Sequence, residues 1–239
     1  VPAALLRREL GRFTSSPNYM LNCGLGTVML PILGVLLLVK ADVLTQVLGS
    51  AFGPQATGIA AVLLCAAVCL VSSMNDMAAS AVSLEGKNLW LVRSLPVETW
   101  QVLRAKLLVQ VLTTAVPTVV CCVCAVLVLR PALPLALLCV VMPLLFVWLS
   151  AEFCLLLDLK RSNLVWTNEI TVIKQRLTVL LAMMAGWVYA AVVGALYLFV
   201  GAQLGAVWYL LAWSVLTAAL ALALRGWLRR GGCRAFEAL

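Results

Sequence analysis

Apolar residues cluster in six runs, at 19–39, 57–71, 107–129, 135–157, 177–200 and 204–224, and the charged residues collect between them. A helix crossing about 30 Å of hydrocarbon at about 1.5 Å per residue needs about 20 mostly apolar residues. Five runs are long enough as they stand. The second reaches that length if the small, mildly polar stretch 72–81 continues its helix. Lipid offers the backbone no hydrogen-bond partner, so each run is predicted to be helical or buried within a bundle. Ahead of the first run, Ala3, Leu6, Leu10 and Phe13 recur at helical spacing, with Arg8 and Arg12 on the opposite side. This pattern predicts an amphipathic helix over 3–13, too short and too charged to span, lying in the membrane interface. Ser15-Ser16-Pro17 closes it. The predicted fold is all-α: a polytopic membrane protein with a lead-in interfacial helix (1–18), six transmembrane helices (19–224) and a basic tail (225–239).

Charge sets the expected direction. Of the 17 Lys and Arg residues, only Lys40 and Arg130 fall in one set of alternate connections. The other set holds Arg7, Arg8 and Arg12, then Lys87, Arg93, Arg104 and Lys106. Lys160, Arg161, Lys174 and Arg176 follow, and then Arg225, Arg229, Arg230 and Arg234. The positive-inside rule places both termini in the cytoplasm of a cell-membrane protein. The net charge of +8 is accounted for in this way, without nucleic acid. The external connections are short apart from 40–55, so a soluble partner is expected on the inner side. The featured loops there are 76–106 and 158–176.

Composition removes whole classes of chemistry. The chain is 64% hydrophobic and 11% charged, with a mean hydropathy of +1.10. Soluble domains run about 45–50% apolar and about 25% charged. There is no His and only nine acidic residues, which excludes His-ligated metals and Ser-His-Asp triads. No G-x-x-x-x-G-K-[ST] occurs, so no P-loop binds ATP. No cofactor is expected, and the chain is not expected to be an enzyme.

Charge inside a span usually marks function. Glu152, near the inner end of the fourth run, and Asp76, at the inner end of the second, are the candidates. Each reads either as an interfacial carboxylate paired with a nearby Arg or Lys, or as a group lining an inner vestibule. Most of the nine cysteines fall inside runs and act there as small apolar residues. Pro31, Pro117 and Pro143 bend their helices, as fixed kinks or as hinges. Ala182, Gly186, Ala190 and Gly194 form a small-residue face for close helix approach.

The loop after the second run carries Glu85, Gly86, Lys87, Asn88, Trp90, Arg93 and Leu95, stopped by Pro96. Leu84, Trp90 and Leu91 give a short helix an apolar side, and Glu85, Lys87, Asn88 and Arg93 give it a polar one. Such a helix either floats among headgroups or docks a soluble partner through a Trp anchor with a charged rim.

The string Ser83-Leu84-Glu85-Gly86-Lys87-Asn88-Leu89-Trp90, with Arg93-Ser94-Leu95-Pro96-Val97 and Ala105-Lys106, resembles permease subunits of ABC-2 type exporters. Arg8-Glu9-Leu10, Ser15-Ser16-Pro17, Tyr19 and Leu21-Asn22 resemble the start of that family's second half. Trp166-Thr167-Asn168-Glu169 with Val172, Lys174 and Gln175 resembles its second inner loop. Where that family has a Pro-containing turn before the Trp, this chain has Lys160-Arg161-Ser162-Asn163. The resemblance implies a C-terminal half that supplies a pathway. It also implies a second transmembrane half and a separate ABC ATPase subunit contacted by 85–96. The competing readings are a transporter powered otherwise, a membrane assembly factor and an intramembrane enzyme.

Overall fold

The computed structural model describes residues 2–166, 172, 173, 177–199 and 201–239. Among these, all regular structure is helical. The chain forms α1 (Pro2–Ser15), α2 (Pro17–Cys23), α3 (Leu25–Val39), α4 (Ala41–Phe52) and α5 (Ala56–Ser72). Then come a short α6 (Leu89–Arg93), α7 (Thr99–Leu129), α8 (Leu133–Lys160), α9 (Leu177–Phe199), α10 (Ala206–Trp227) and α11 (Cys233–Ala238). A π-turn, Leu228–Gly232, runs α10 into α11.

Four helices are long and apolar enough to cross a membrane, the last being the unbroken run Ala206–Ala238, and a fifth counts if α3 and α4 are one bent span. The expected first run is split. Gly24 breaks it (φ −114°, ψ 12°), leaving 15 residues in α3. Its backbone is diverted into an isolated β-bridge with Asn75. The long external loop expected at 40–55 is instead the helix α4, turned 74° from α3 and burying none of its residues. Val43, Val47 and Phe52 are exposed on it, which suits a helix lying on an apolar surface.

The extension of the second run through 72–81 does not occur. α5 stops at Ser72, because Ser72 and Ser73 turn their hydroxyls back on the carbonyls of Cys69 and Leu70 (3.0 and 2.7 Å). Such side chains compete with the helix ladder. Residues 73–88 follow as irregular backbone with two 3₁₀ turns, Met77–Ala79 and Ser83–Asn88. This segment does not run over the surface. From Met77 through Gly86 it is buried, packed against α7 and α8.

Small residues make that possible. A Cβ on Gly26 would stand 2.6 Å from the Val71 carbonyl oxygen, and one on Gly186 would stand 2.2 Å from the Ser73 Cβ. The small face of α9 is buried against α5, with Gly194 facing Leu63 and Ala66. Pro31, Pro117 and Pro143 all lie inside continuous helices.

α1 lies along α7, but not on the face that spacing predicted. Leu5, Glu9 and Phe13 are its buried positions, while Ala3 and Leu10 are exposed. An acidic residue takes the inward face because a cation waits for it there.

Candidate functional site

Helix α7 carries Lys106, Gln110, Thr114 and Thr118 four residues apart, so all four lie on one side. All four are buried, Lys106 with 1% of its surface exposed. This stripe faces 73–88 and satisfies its backbone rung by rung. Lys106 Nζ donates to the Ala81 carbonyl at 3.0 Å. Gln110 donates to the Asn75 carbonyl (2.7 Å) and accepts from the Ala78 N–H (2.9 Å). The Asn75 amide donates to the Thr114 hydroxyl (3.1 Å), while its oxygen accepts from the Thr27 N–H (3.1 Å). Thr118 donates to the Thr114 carbonyl within the helix. Irregular backbone away from water needs such partners.

At the foot of the stripe sits an ionic cluster. Lys106 Nζ lies 3.1 Å from Glu9 Oε2 and 2.5 Å from Glu85 Oε1. Glu85 Oε2 also receives Arg8 and Arg12, each at 3.2 Å. Arg12 further bonds the Leu84 carbonyl. Burial pushes the Glu85 carboxyl up, but Lys106, Arg12 and Arg8 outweigh it and hold the group below the usual carboxylate range. Glu85 is therefore an interior pin rather than a rim charge.

A second knot joins 82–86 to the end of α8 and the segment after it. Asp158, near the end of α8, accepts from the N–H groups of Val82 and Ser83 (2.7 and 3.1 Å) and from the Ser83 hydroxyl (2.5 Å). The Asn163 N–H donates to the Ser83 hydroxyl, and Trp166 Nε1 donates to the Ser83 carbonyl at 2.8 Å. Gly86, at φ 51°, lies under the Trp166 ring, where a Cβ would stand 3.0 Å from Nε1.

Asp76 and Glu152 are both buried, and each keeps one carboxylate oxygen without a partner. Among the described residues neither has a Lys or Arg within 4.0 Å. Burial pushes Asp76 up to about 7. The other Glu152 oxygen accepts from Trp148 Nε1 at 2.7 Å, and Arg225 stacks on that Trp148 ring, 5.5 Å from its centroid.

The expected amphipathic helix over 85–95 is not a single helix. It is the 3₁₀ turn ending at Asn88, then α6 of five residues. Leu84, Leu89 and Val92 face inward, while Trp90 is 66% exposed and Leu91 and Asn88 are exposed beside it. Leu95 is half-buried and Pro96 exposed. Arg93 donates to the Phe236 carbonyl at 2.6 Å, and Thr99 to Glu237 at 2.6 Å, so the basic tail is tied down at this corner. For Lys87 only the backbone is described, and Asn168, Glu169, Lys174 and Gln175 lie outside the described residues.

The sequence reading missed Lys106, Gln110, Glu9 and Asp158. The first two carried a signal, the four-residue spacing Lys106, Gln110, Thr114, Thr118. Lys106 stands one residue ahead of the apolar run that begins at 107, so hydropathy alone leaves it in the preceding loop.

A family model described as a membrane protein of 12 TMs matches residues 24–225. The chain belongs to this family of 12-TM membrane proteins. No curated protein and no solved structure matches the chain. The family match corrects the ABC-2 resemblance, because the family found over most of the chain is a different one and no ABC-2 domain is found. Short strings such as Ser83–Trp90 misled because the residues that seat an irregular segment against a helix, small, acidic and aromatic, are also those of a docking loop. An ABC ATPase as the partner of 85–96 is not shown by the family found. What stands is a multi-pass membrane protein of the lipid bilayer that belongs to the 12-TM family.

Proposed function

We propose that this 12-TM family member is a transporter powered by something other than an ABC ATPase, with no chemistry of its own. The observation that carries this is the buried irregular segment 73–88 holding a carboxyl oxygen of Asp76 that has no partner. At membrane depth such backbone is tolerated where it is buried in protein or lines a cavity, and broken helices build the sites of many transporters. Asp76, pushed up to about 7, gains or loses its proton near neutrality and so gives the segment two charge states. In this reading the arginine-rich end, with both termini, faces the cytoplasm of a cell membrane. The pathway is completed by further spans, since the family's description names twelve and the described residues here form four or five.

The test needs no substrate. Cys23 and Cys154 flank Asp76 and are buried. In vesicles, a variant keeping only Cys154 is expected to react with a water-soluble maleimide at a rate that, divided by that of a free thiol at the same pH to remove the thiol's own ionisation, changes between pH 6 and pH 8. Asp76→Asn should make that ratio the same at both pH values. If the thiol stays unreachable at both pH values, no aqueous path opens through the bundle and the transporter reading fails. The second reading, a membrane assembly factor, then gains, since the exposed Trp90 and Leu91 would serve as its contact.

A further inference from the structure

At the arginine-rich end, α1, the start of α7 and the π-turn after α10 enclose a crevice of about 380 Å³. Its walls are of two kinds. Ala3, Leu6 and Leu108 are apolar, and Trp100, Arg104 and Arg229 are aromatic or basic, with Leu108 one helical turn beyond Arg104 on the same face of α7. The Arg229 guanidinium lies 5.3 Å from the centroid of the Trp100 ring, which fixes its plane. Glu98 also lines the crevice, yet among the described residues neither Arg104 nor Arg229 has a carboxylate within 4.0 Å. Both arginines are exposed. The ionic cluster around Glu85 uses Arg8, Arg12 and Lys106, so these two cations are not part of it.

The crevice also has an exit. Beyond Leu108, α7 exposes Leu112, Val116, Val120, Val123 and Leu127, each three or four residues after the last. Residues so spaced form one stripe along a helix. At about 1.5 Å per residue the stripe from Leu108 extends over about 28 Å, close to the full hydrocarbon thickness of about 30 Å. A cationic recess with an aromatic wall thus opens directly onto a continuous apolar track.

We propose that this crevice is a binding site for an anionic phospholipid, with its phosphate between Arg104 and Arg229 and an acyl chain leaving past Leu108 along the α7 stripe. A soluble anion would use the two arginines but not the track. A purely apolar ligand would use the track but not the arginines. Only a molecule with both parts fits the whole surface. Guanidinium suits phosphate oxygens through paired N–H donors, and Trp favours the headgroup level. The site is independent of the transporter reading, since it touches neither Asp76 nor 73–88.

The chain is reconstituted in nanodiscs of phosphatidylcholine with 10 mol% phosphatidylglycerol, extracted in mild detergent, and its retained lipid measured by native mass spectrometry. Phosphatidylglycerol is expected to be enriched at least fivefold over its share of the disc. The double variant Arg104→Gln/Arg229→Gln should bring the enrichment to within twofold of bulk, and Leu108→Trp, which blocks the exit with both arginines in place, should lower it as well. Arg130→Gln, at the far end of α7, should change nothing. Equal retention of the two lipids, or enrichment that survives both the double variant and Leu108→Trp, overturns the proposal. Displacement of the phosphatidylglycerol by millimolar glycerol phosphate overturns it too, by assigning the crevice to a soluble anion. A thiol-reactive melting curve checks each variant for folding.

Discussion

Replacing Lys106 by Met tests whether the ionic cluster holds the irregular segment in place. All three protons of the ammonium are used, on Glu9, Glu85 and the Ala81 carbonyl. Met keeps the length of the stem and removes the charge. Glu85 retains Arg8 and Arg12, whose side chains are 38% and 30% exposed, so it stays partly compensated. Glu9 loses the one ion pair it makes among the described residues and is left as a buried carboxylate. Removing one member of a buried pair costs about 3–5 kcal/mol. At about 2–4 °C per kcal/mol for a chain of this size, the expected fall in Tm is roughly 6–20 °C. The chain supplies its own probe, since most of its nine cysteines are buried and react with a fluorogenic maleimide only on unfolding. In Lys106→Met/Glu9→Gln the orphaned charge is gone, so the double variant should be more stable than Lys106→Met alone by at least about 1 kcal/mol. A fall of less than about 3 °C for Lys106→Met, or strict additivity in the double variant, would show that the cluster does not hold the segment.

Three further outcomes follow from the packing. Asp76 ionises less readily in the folded chain than at its ordinary value of 3.8, so its ionisation opposes folding. The penalty is absent below about pH 4, grows as pH rises and levels off above about 7. Asp76→Asn should therefore raise Tm at pH 8 and leave it nearly unchanged at pH 4, and an equal gain at both pH values would refute this. Gly86→Ala puts a Cβ under the Trp166 ring at a φ of 51° that suits only Gly, at a cost of about 1–3 kcal/mol; a red-shifted Trp166 emission, read in a variant keeping that tryptophan alone, would report the parted loops. Gly186→Ala forces α9 away from Ser73 and should cost about 1–3 kcal/mol in the same maleimide melt, whereas Gly11→Ala, in open space on α1, should cost nothing.

The helical class and the membrane setting were legible in the sequence, because long apolar runs have one solution in lipid. The helix α4 was not. Its residues are mixed enough to read as a loop, and the turn of 74° from α3 after Lys40 leaves no mark in hydropathy. The buried course of 73–88 was hidden for a related reason. Small and mildly polar, 72–81 reads as the continuation of the second run's helix, and only the matching stripe on α7 shows that its residues have interior partners. Glu9 was invisible on its own, because an acid on the buried face of an amphipathic helix makes sense only once Lys106 is known to lie opposite.

The buried ammonium also bears on how the chain is made. A buried cation left without its partners is costly, by about 3–5 kcal/mol for one member of a buried pair. Glu9 and Glu85 both precede Lys106 in the chain, so a ribosome releases the two anions before the cation they neutralise. Directional synthesis thus presents α7 with its counter-charges already waiting, and a circular permutation that began the chain at α7 would have to insert Lys106 bare.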